Sequence, residues 1–202
     1  MARLFLIRHA PTSETGRILT GRKPGVDLSD EGETMARALA QALSSTRFEA
    51  IYSSLVDRAW QTAQIVAAPH RLAPIPDENF LENDYGRWAG RSLSSLNKLK
   101  AWRQVVTSPA RVRFPEGESM AEMQARAIAG CEDLASRHRG TVAVISHADV
   151  IKAALGHYLG APLDLLERIE VGPASVSIID LAPGRPGRVM VINQLPSDRS
   201  WR

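Results

Sequence analysis

The sequence predicts a three-layer α/β/α sandwich around a mostly parallel central sheet of about six strands, and three observations predict it. Short apolar runs alternate with segments of helical periodicity, in the order β-loop-α, β-α, β, α, β-α, β-β. Two of the runs, residues 4–7 and 142–145, are apolar at every position, the pattern of a strand covered on both faces. Polar residues capable of chemistry directly follow three strands: Arg8-His9, Ser53-Ser54 and Ser146-His147. In open α/β sheets ligands gather beyond the carboxyl ends of the strands, so these residues mark the expected site.

The elements follow in order. Ala2 to Ile7 is the first strand. Residues 10–31, rich in Thr, Gly, Pro and Arg, form a loop whose length in a compact domain usually serves function. Asp30 and Glu33 open a helix in the manner of a capping box, with Met35, Ala38, Leu39, Ala42 and Leu43 as its apolar face. Glu49 to Tyr52 is the second strand, and Ser53-Ser54 lead into a helix that buries Ala59, Ala63, Val66 and Ala67. A short strand lies near residues 74–76. Residues 80–90, rich in glycine, aromatics and acids, read as an exposed loop. Residues 114–117 form a second loop before a helix from Ser119 to about His138, with Met120, Met123, Ala127, Cys131 and Leu134 inward. Thr141 to Ile145 is a clean buried strand, and Val150 to Leu159 is helical. Ser175 to Leu181 and Arg188 to Asn193 are late strands separated by a Pro/Gly turn. The chain reads as a single domain over residues 1–195, with 196–202 a frayed tail.

At 202 residues the chain supports one sizeable core rather than two. No apolar run approaches a membrane span, and the opening MARLFLI meets Arg8-His9 without a small-residue cleavage site, so it reads as a buried strand rather than a signal peptide. One cysteine, Cys131, excludes an internal disulfide and fits a reducing compartment, with the cytoplasm as the expected location. The net charge of +3 comes from 21 arginines and four lysines spread along the chain with no basic block, which argues against a nucleic-acid partner.

The strand ends offer the parts that phosphate-ester cleavage needs without a metal. Catalysis of phosphoryl transfer is mostly positioning and cationic stabilisation, and two arginines can grip the phosphoryl oxygens by paired, charge-assisted hydrogen bonds. Neutral imidazole is a competent nucleophile near neutral pH, and a carboxylic acid can protonate the leaving alkoxide. His9 is the candidate nucleophile, Arg8 and Arg58 the clamp, His147 a further phosphate donor and Glu82 the acid. Each residue alone has a bland reading as a surface or structural group; their joint occurrence at strand ends carries the inference. Ser146-His147 is no serine-hydrolase pair, since adjacent residues of an extended chain splay apart and no G-x-S-x-G elbow accompanies them. No H-x-x-x-H or clustered carboxylate spacing appears, and Arg8 beside His9 repels a cation, so neither metal nor cofactor is expected.

LFLIRHAPTSET resembles the RHG signature of the histidine phosphatase superfamily, also called the phosphoglycerate mutase-like superfamily. The resemblance recurs in order over nearly the whole chain, through TGRKPGVDLSDEG, IYSSLVDRAWQTAQIV, LENDYGRWAG, FPEGESMAEMQAR and VISHADVIKAAL. It implies a phosphoglycerate mutase-like fold and places Arg8, His9, Arg58 and His147 in a phosphate pocket, with Glu82 as proton donor. It further implies attack by His9, a phosphohistidine, and hydrolysis by water that Glu82 activates. The signature glycine is Ala10 here, Pro11 stands where an acid is common, and Thr15 replaces a phosphate-touching Asn, with Gly21 offering a backbone N–H. His70, His138 and His157 match nothing in the family pattern. Mutases of the family usually carry a longer insert before the second histidine, so the expected activity is that of a phosphomonoesterase, resembling alpha-ribazole and broad-specificity phosphatases. Phosphoglycerate mutase is the alternative. Inactive binding relatives typically lack the nucleophile or a clamp arginine, and both are present here. The expected partner is a small phosphorylated metabolite, not nucleic acid or membrane, with a homodimer left open. Trp88, Trp102, Arg22 and residues 115–118 are candidates for the leaving-group side, and Asp84 and Glu118 are the donors to consider should Glu82 be structural.

Overall fold

The computed structural model describes residues 1–182 and 184–196. Strand β1 (Ala2–Arg8) leads through a long loop, which holds β2 (Ile18–Leu19), to helix α1 (Asp30–Leu43). There follow β3 (Phe48–Ser53), α2 (Asp57–Ala67), β4 (Ile75–Pro76), β5 (Arg91–Ser92) and the short helices α3 (Leu93–Leu96) and α4 (Lys100–Thr107). The chain continues through α5 (Met120–Arg137), β6 (Thr141–Ser146), α6 (Ala148–Tyr158), β7 (Val176–Leu181) and β8 (Arg188–Gln194). Among these helices none is long and apolar enough to cross a membrane.

Six strands form one sheet in the order β4-β3-β6-β1-β7-β8. The strands β4, β3, β6 and β1 run parallel, while β7 is antiparallel to both its neighbours. Alternation explains the continuous apolar runs. Leu4 and Leu6 of β1 and Val142 and Val144 of β6 pack with Leu134, Ile151 and Leu155 of α5 and α6. Phe5, Ile7, Ala143 and Ile145 point the other way, into a cluster with Leu39 and Leu43 of α1 and Ala63 and Val66 of α2. This is the three-layer arrangement that the sequence predicts.

Register then sets up the site. In the parallel pairs Arg8 lies opposite Ser146, and Ser53 opposite Ile145. The ladder runs one residue further on each side, through His9 N–H to the Ser146 carbonyl and Ser54 N–H to the Ile145 carbonyl, both at 2.9 Å. Three strands therefore stop level, and the residues after them emerge together.

Four readings change. The N-cap of α1 is Ser29, whose hydroxyl accepts from Gly32 N–H at 3.1 Å, while Glu33 pairs instead with Arg37. Ala38 is exposed, and Ala36 and Ala40 take the inner face; in an alanine-rich helix the side chains give no size cue to phase the stripe. Residues 80–90 are not an exposed loop, since Phe80, Glu82, Asn83 and Tyr85 are buried. Phe80 packs in the first cluster against α5, worth about 1.5–3 kcal/mol of burial. Gly86, at φ +49°, abuts the Pro115 carbonyl so closely that any side chain would collide, and Gly117 meets the Asp84 carbonyl in the same way. The segment 91–113 adds β5, α3 and α4, which the sequence reading does not assign. The capping box of α5 is complete, with Ser119 and Glu122 exchanging bonds, and all five of its expected inward residues are buried. Of the expected frayed tail, residues 197–202 lie outside the described residues.

Candidate active site

Beyond the level strand ends lies a cavity of about 410 Å³. Arg8, His9, Thr15, Gly21, Arg58 and Glu82 line it. A larger cavity, about 670 Å³, sits between α5, α6 and the β7–β8 turn, lined by none of these groups. Chemistry, not volume, selects the first.

His9 is 5% exposed. Its Nδ1 lies 2.7 Å from the Ala10 carbonyl, which can only accept, so Nδ1 carries the proton. The Nε2 lone pair then faces Arg58, whose Nε–H donates to it at 3.1 Å. Burial, then the charges of Arg58 and Arg8, hold the imidazole pKa well below its ordinary value. The result is a neutral imidazole with a fixed tautomer and an aimed lone pair.

Arg58 opens α2 and is 3% exposed. Its Nη2 donates to the Gly21 carbonyl at 2.9 Å and to His147 Nδ1 at 3.1 Å, and lies 3.6 Å from a Glu82 carboxylate oxygen. Gly21 thus meets the clamp through its carbonyl; φ of +61° turns that loop inward. Arg8 donates through Nη1 to the Val171 carbonyl at 2.7 Å. Two buried guanidinium atoms, Arg8 Nε and Arg58 Nη1, have no hydrogen-bond partner among the described residues. Buried donors of this kind call for a partner, and an anion between two arginines supplies one.

His147 follows β6 as the N-cap of α6 and is completely buried. It stands behind Arg58 rather than in the cavity wall. Because arginine only donates, His147 Nδ1 accepts, and Nε2–H donates to Ser54 Oγ at 2.8 Å. Burial, more than the neighbouring arginine, keeps this ring well below its ordinary pKa. Thr15 Oγ1 accepts the Thr12 N–H at 2.9 Å and meets Thr12 Oγ1 at 3.2 Å.

Glu82 is 9% exposed, and one carboxylate oxygen accepts from Asn83 N–H at 3.0 Å. The other lies 3.5 Å from His147 Nδ1. Burial, with the Asp149 charge second, raises its pKa to about 7, outweighing the attraction of Arg58. Its carbonyl is gripped from behind by Arg22 Nε at 2.7 Å and Arg126 Nη2 at 3.2 Å, and Glu118 ties both arginines together. That leaves Glu118 paired rather than available as a donor, and Arg22 bracing the acid rather than meeting a leaving group. Of the residues considered for the leaving-group side, Trp102 lines the cavity, while Trp88 packs on Trp102 and Phe114.

Further side chains surround these groups. Ser54 orients His147, and Thr62 accepts the Ala10 N–H at 3.1 Å while donating to the Arg58 carbonyl at 2.7 Å. Asp149 accepts the Tyr85 hydroxyl at 2.9 Å, and Lys152 pairs with Glu167 at 3.0 Å; all four line the cavity. The available signal was a charged residue at 149 and another at 152 within an otherwise apolar helix.

Residues 4–194 match the family described as the histidine phosphatase superfamily (branch 1). Phosphoserine phosphatase 1 of Hydrogenobacter thermophilus is 33% identical over 191 residues, covering 92% of this chain and 89% of that protein. The probable phosphoglycerate mutase GpmB of Proteus mirabilis is 29% identical, covering 89% of this chain and 85% of its own. The structure of Bacillus stearothermophilus YhfR, at 28% identity, superposes with a TM-score of 0.89 over 96% of this chain and 98% of that one.

Proposed function

The chain belongs to the histidine phosphatase superfamily, branch 1, and from that premise we propose that it hydrolyses a small phosphorylated metabolite through a phosphohistidine at His9, without a metal. One observation carries the reading: the unprotonated Nε2 of His9 is held 3.1 Å from Arg58, whose guanidinium lies 3.6 Å from the buried Glu82 carboxyl group. Nucleophile, cation and acid meet around one cavity.

In this scheme the phosphoryl oxygens take the donors of Arg8 and Arg58, with Thr15 turning its hydroxyl toward them. His9 Nε2 attacks phosphorus in line, forming the P–N bond as the ester P–O bond breaks. Protonated Glu82 passes its proton to the departing alkoxide. Its carboxylate then accepts a proton from water, whose oxygen attacks phosphorus and breaks the P–N bond, releasing inorganic phosphate and neutral His9. His147 Nδ1, which accepts from Arg58 Nη2, stands behind the guanidinium and holds it toward the phosphoryl oxygens.

Similarity to a probable phosphoglycerate mutase supports isomerisation as a second reading. A panel of phosphorylated metabolites, O-phosphoserine among them, assayed for phosphate release alongside 3-phosphoglycerate isomerisation, tests both. Phosphate release with negligible isomerisation is expected; isomerisation that outpaces hydrolysis would overturn it.

A further inference from the structure

We propose that the Lys152–Glu167 ion pair reads the leaving group, and that the site prefers a phosphomonoester whose alcohol carries both a carboxylate and an ammonium. This rests on the phosphatase reading above and names the substrate class of the same cavity. Lys152 is 9% exposed, on a helix whose neighbours from Val150 to Gly156 are otherwise buried and uncharged. A lysine so buried is costly unless it is paired, and its Nζ lies 3.0 Å from Glu167 Oε2. Glu167 is 44% exposed at its side chain, so water can serve its own charge. Both residues line the cavity that holds His9, Arg8 and Arg58. Asp149, three residues before Lys152, adds a second carboxylate to the same wall.

The charged groups of the cavity wall therefore fall into two sets. Two arginines serve the phosphoryl group, whereas the leaving-group side offers one ammonium and two carboxyl groups. An alcohol bearing only a carboxylate can take Lys152, but it displaces Glu167 and meets Asp149. One bearing only an ammonium can take Glu167, but it strips a buried lysine of its partner. A zwitterion exchanges both at once: its carboxylate replaces Glu167 on Lys152, and its ammonium replaces Lys152 on Glu167. Trp102 and Val105 of α4 give a short carbon chain an apolar backing. At about 410 Å³ the cavity is near the small end for ligand sites, which suits a compact alcohol.

Four esters test this: O-phosphoserine, 3-phosphoglycerate, phosphoethanolamine and glycerol 3-phosphate, with p-nitrophenyl phosphate as the uncharged reference. The kcat/KM for phosphoserine should exceed the other three small esters by roughly ten- to hundredfold, the worth of one charged hydrogen bond. Lys152→Met should lower the rates on phosphoserine and 3-phosphoglycerate and raise phosphoethanolamine, because it frees Glu167. Glu167→Gln should lower phosphoserine and phosphoethanolamine and raise 3-phosphoglycerate, because it frees Lys152. Turnover of p-nitrophenyl phosphate should survive in both variants. Equal rates on the four esters with p-nitrophenyl phosphate cleaved would overturn the charge reading alone. Loss of all five activities in both variants would make the pair structural. A wild-type protein that cleaves none of the five would overturn the phosphatase reading and this one with it.

Discussion

Arg58 donates its Nε–H to the Nε2 atom of His9 across 3.1 Å. The proposed attacking atom and the proposed clamp are thus in direct contact before any phosphate arrives. The arginine orients the lone pair and, as a neighbouring cation, opposes protonation of the ring. For attack to occur the Nε–H must release the lone pair and turn to a phosphoryl oxygen, so the two roles of Arg58 are used in sequence.

Arg58→Ala should therefore lose about 2–4 kcal/mol of transition-state stabilisation, the usual loss of a preorganised charge-stabilising donor. Lysine should rescue only part, because it cannot offer a planar fork. Removing the cation also lets the His9 pKa rise, so the acidic limb of the kcat/KM profile should move to higher pH. Steady-state profiles of the wild type and both variants give the measurement. A near-neutral alanine variant would assign Arg58 to structure.

His9→Ala should abolish turnover while the circular dichroism spectrum and thermal midpoint remain close to wild type. Acid-quenched wild type incubated with labelled substrate should carry an acid-labile, base-stable phosphate, as phosphoramidates do. Label persisting in the variant would place the nucleophile elsewhere.

Glu82 must be protonated to act as the acid, and its pKa of about 7 is raised. The protonated form is present below that value and is lost as pH rises through it, so turnover of alkyl phosphates should fall on the alkaline side of about 7. Glu82→Gln should lower that turnover roughly 10²–10⁴-fold. With p-nitrophenyl phosphate, whose leaving group needs no proton, the first step should be spared and a burst of about one equivalent should precede a slow steady state. Equal losses on both esters without a burst would make Glu82 structural.

Asp149 supplies the second-largest push on the Glu82 pKa. Asp149→Asn keeps an acceptor for the Tyr85 hydroxyl and removes the charge, so the alkaline limb should shift to lower pH. An unmoved limb would leave burial as the whole cause.

Excess EDTA should leave activity intact, and vanadate should block it, because in the proposed chemistry His9 and the arginines take the part of a metal. Full loss on chelation, restored by Zn²⁺ or Mg²⁺, would sink this chemistry.

How much of this could be read from the sequence depends on range. The sheet and its helices were legible because period and burial are local: residues 4–7 and 142–145 are apolar at every position, and both faces of each strand proved to be covered. The candidate site residues were legible as strand-end neighbours and through the family pattern. The segment around Glu82 was misread because what buries it lies far away in sequence. Arg22 is 60 residues before it and Arg126 is 44 after, and no local pattern marks a backbone carbonyl as their target. The α1 stripe slipped for the opposite reason, as alternating alanines carry too little size to fix a phase. Lys152 stands in the sequence as a charge amid apolar residues, and only the fold brings Glu167 beside it.

The cavity rests on two foundations. The end lined by Arg8 and His9 hangs from strands locked into the ladder, where a shifted register would turn every core residue over. The α4 wall instead belongs to the third cluster, where Trp102 and Val105 gather with Phe114, Met120 and Leu166. Under the proposed chemistry, substitution along α4 should change which alcohols fit while leaving bond cleavage untouched. An engineer grafting α4 and its flanking turns from a relative would be exchanging the cavity's apolar wall while keeping the strand ends that hold His9 and Arg8.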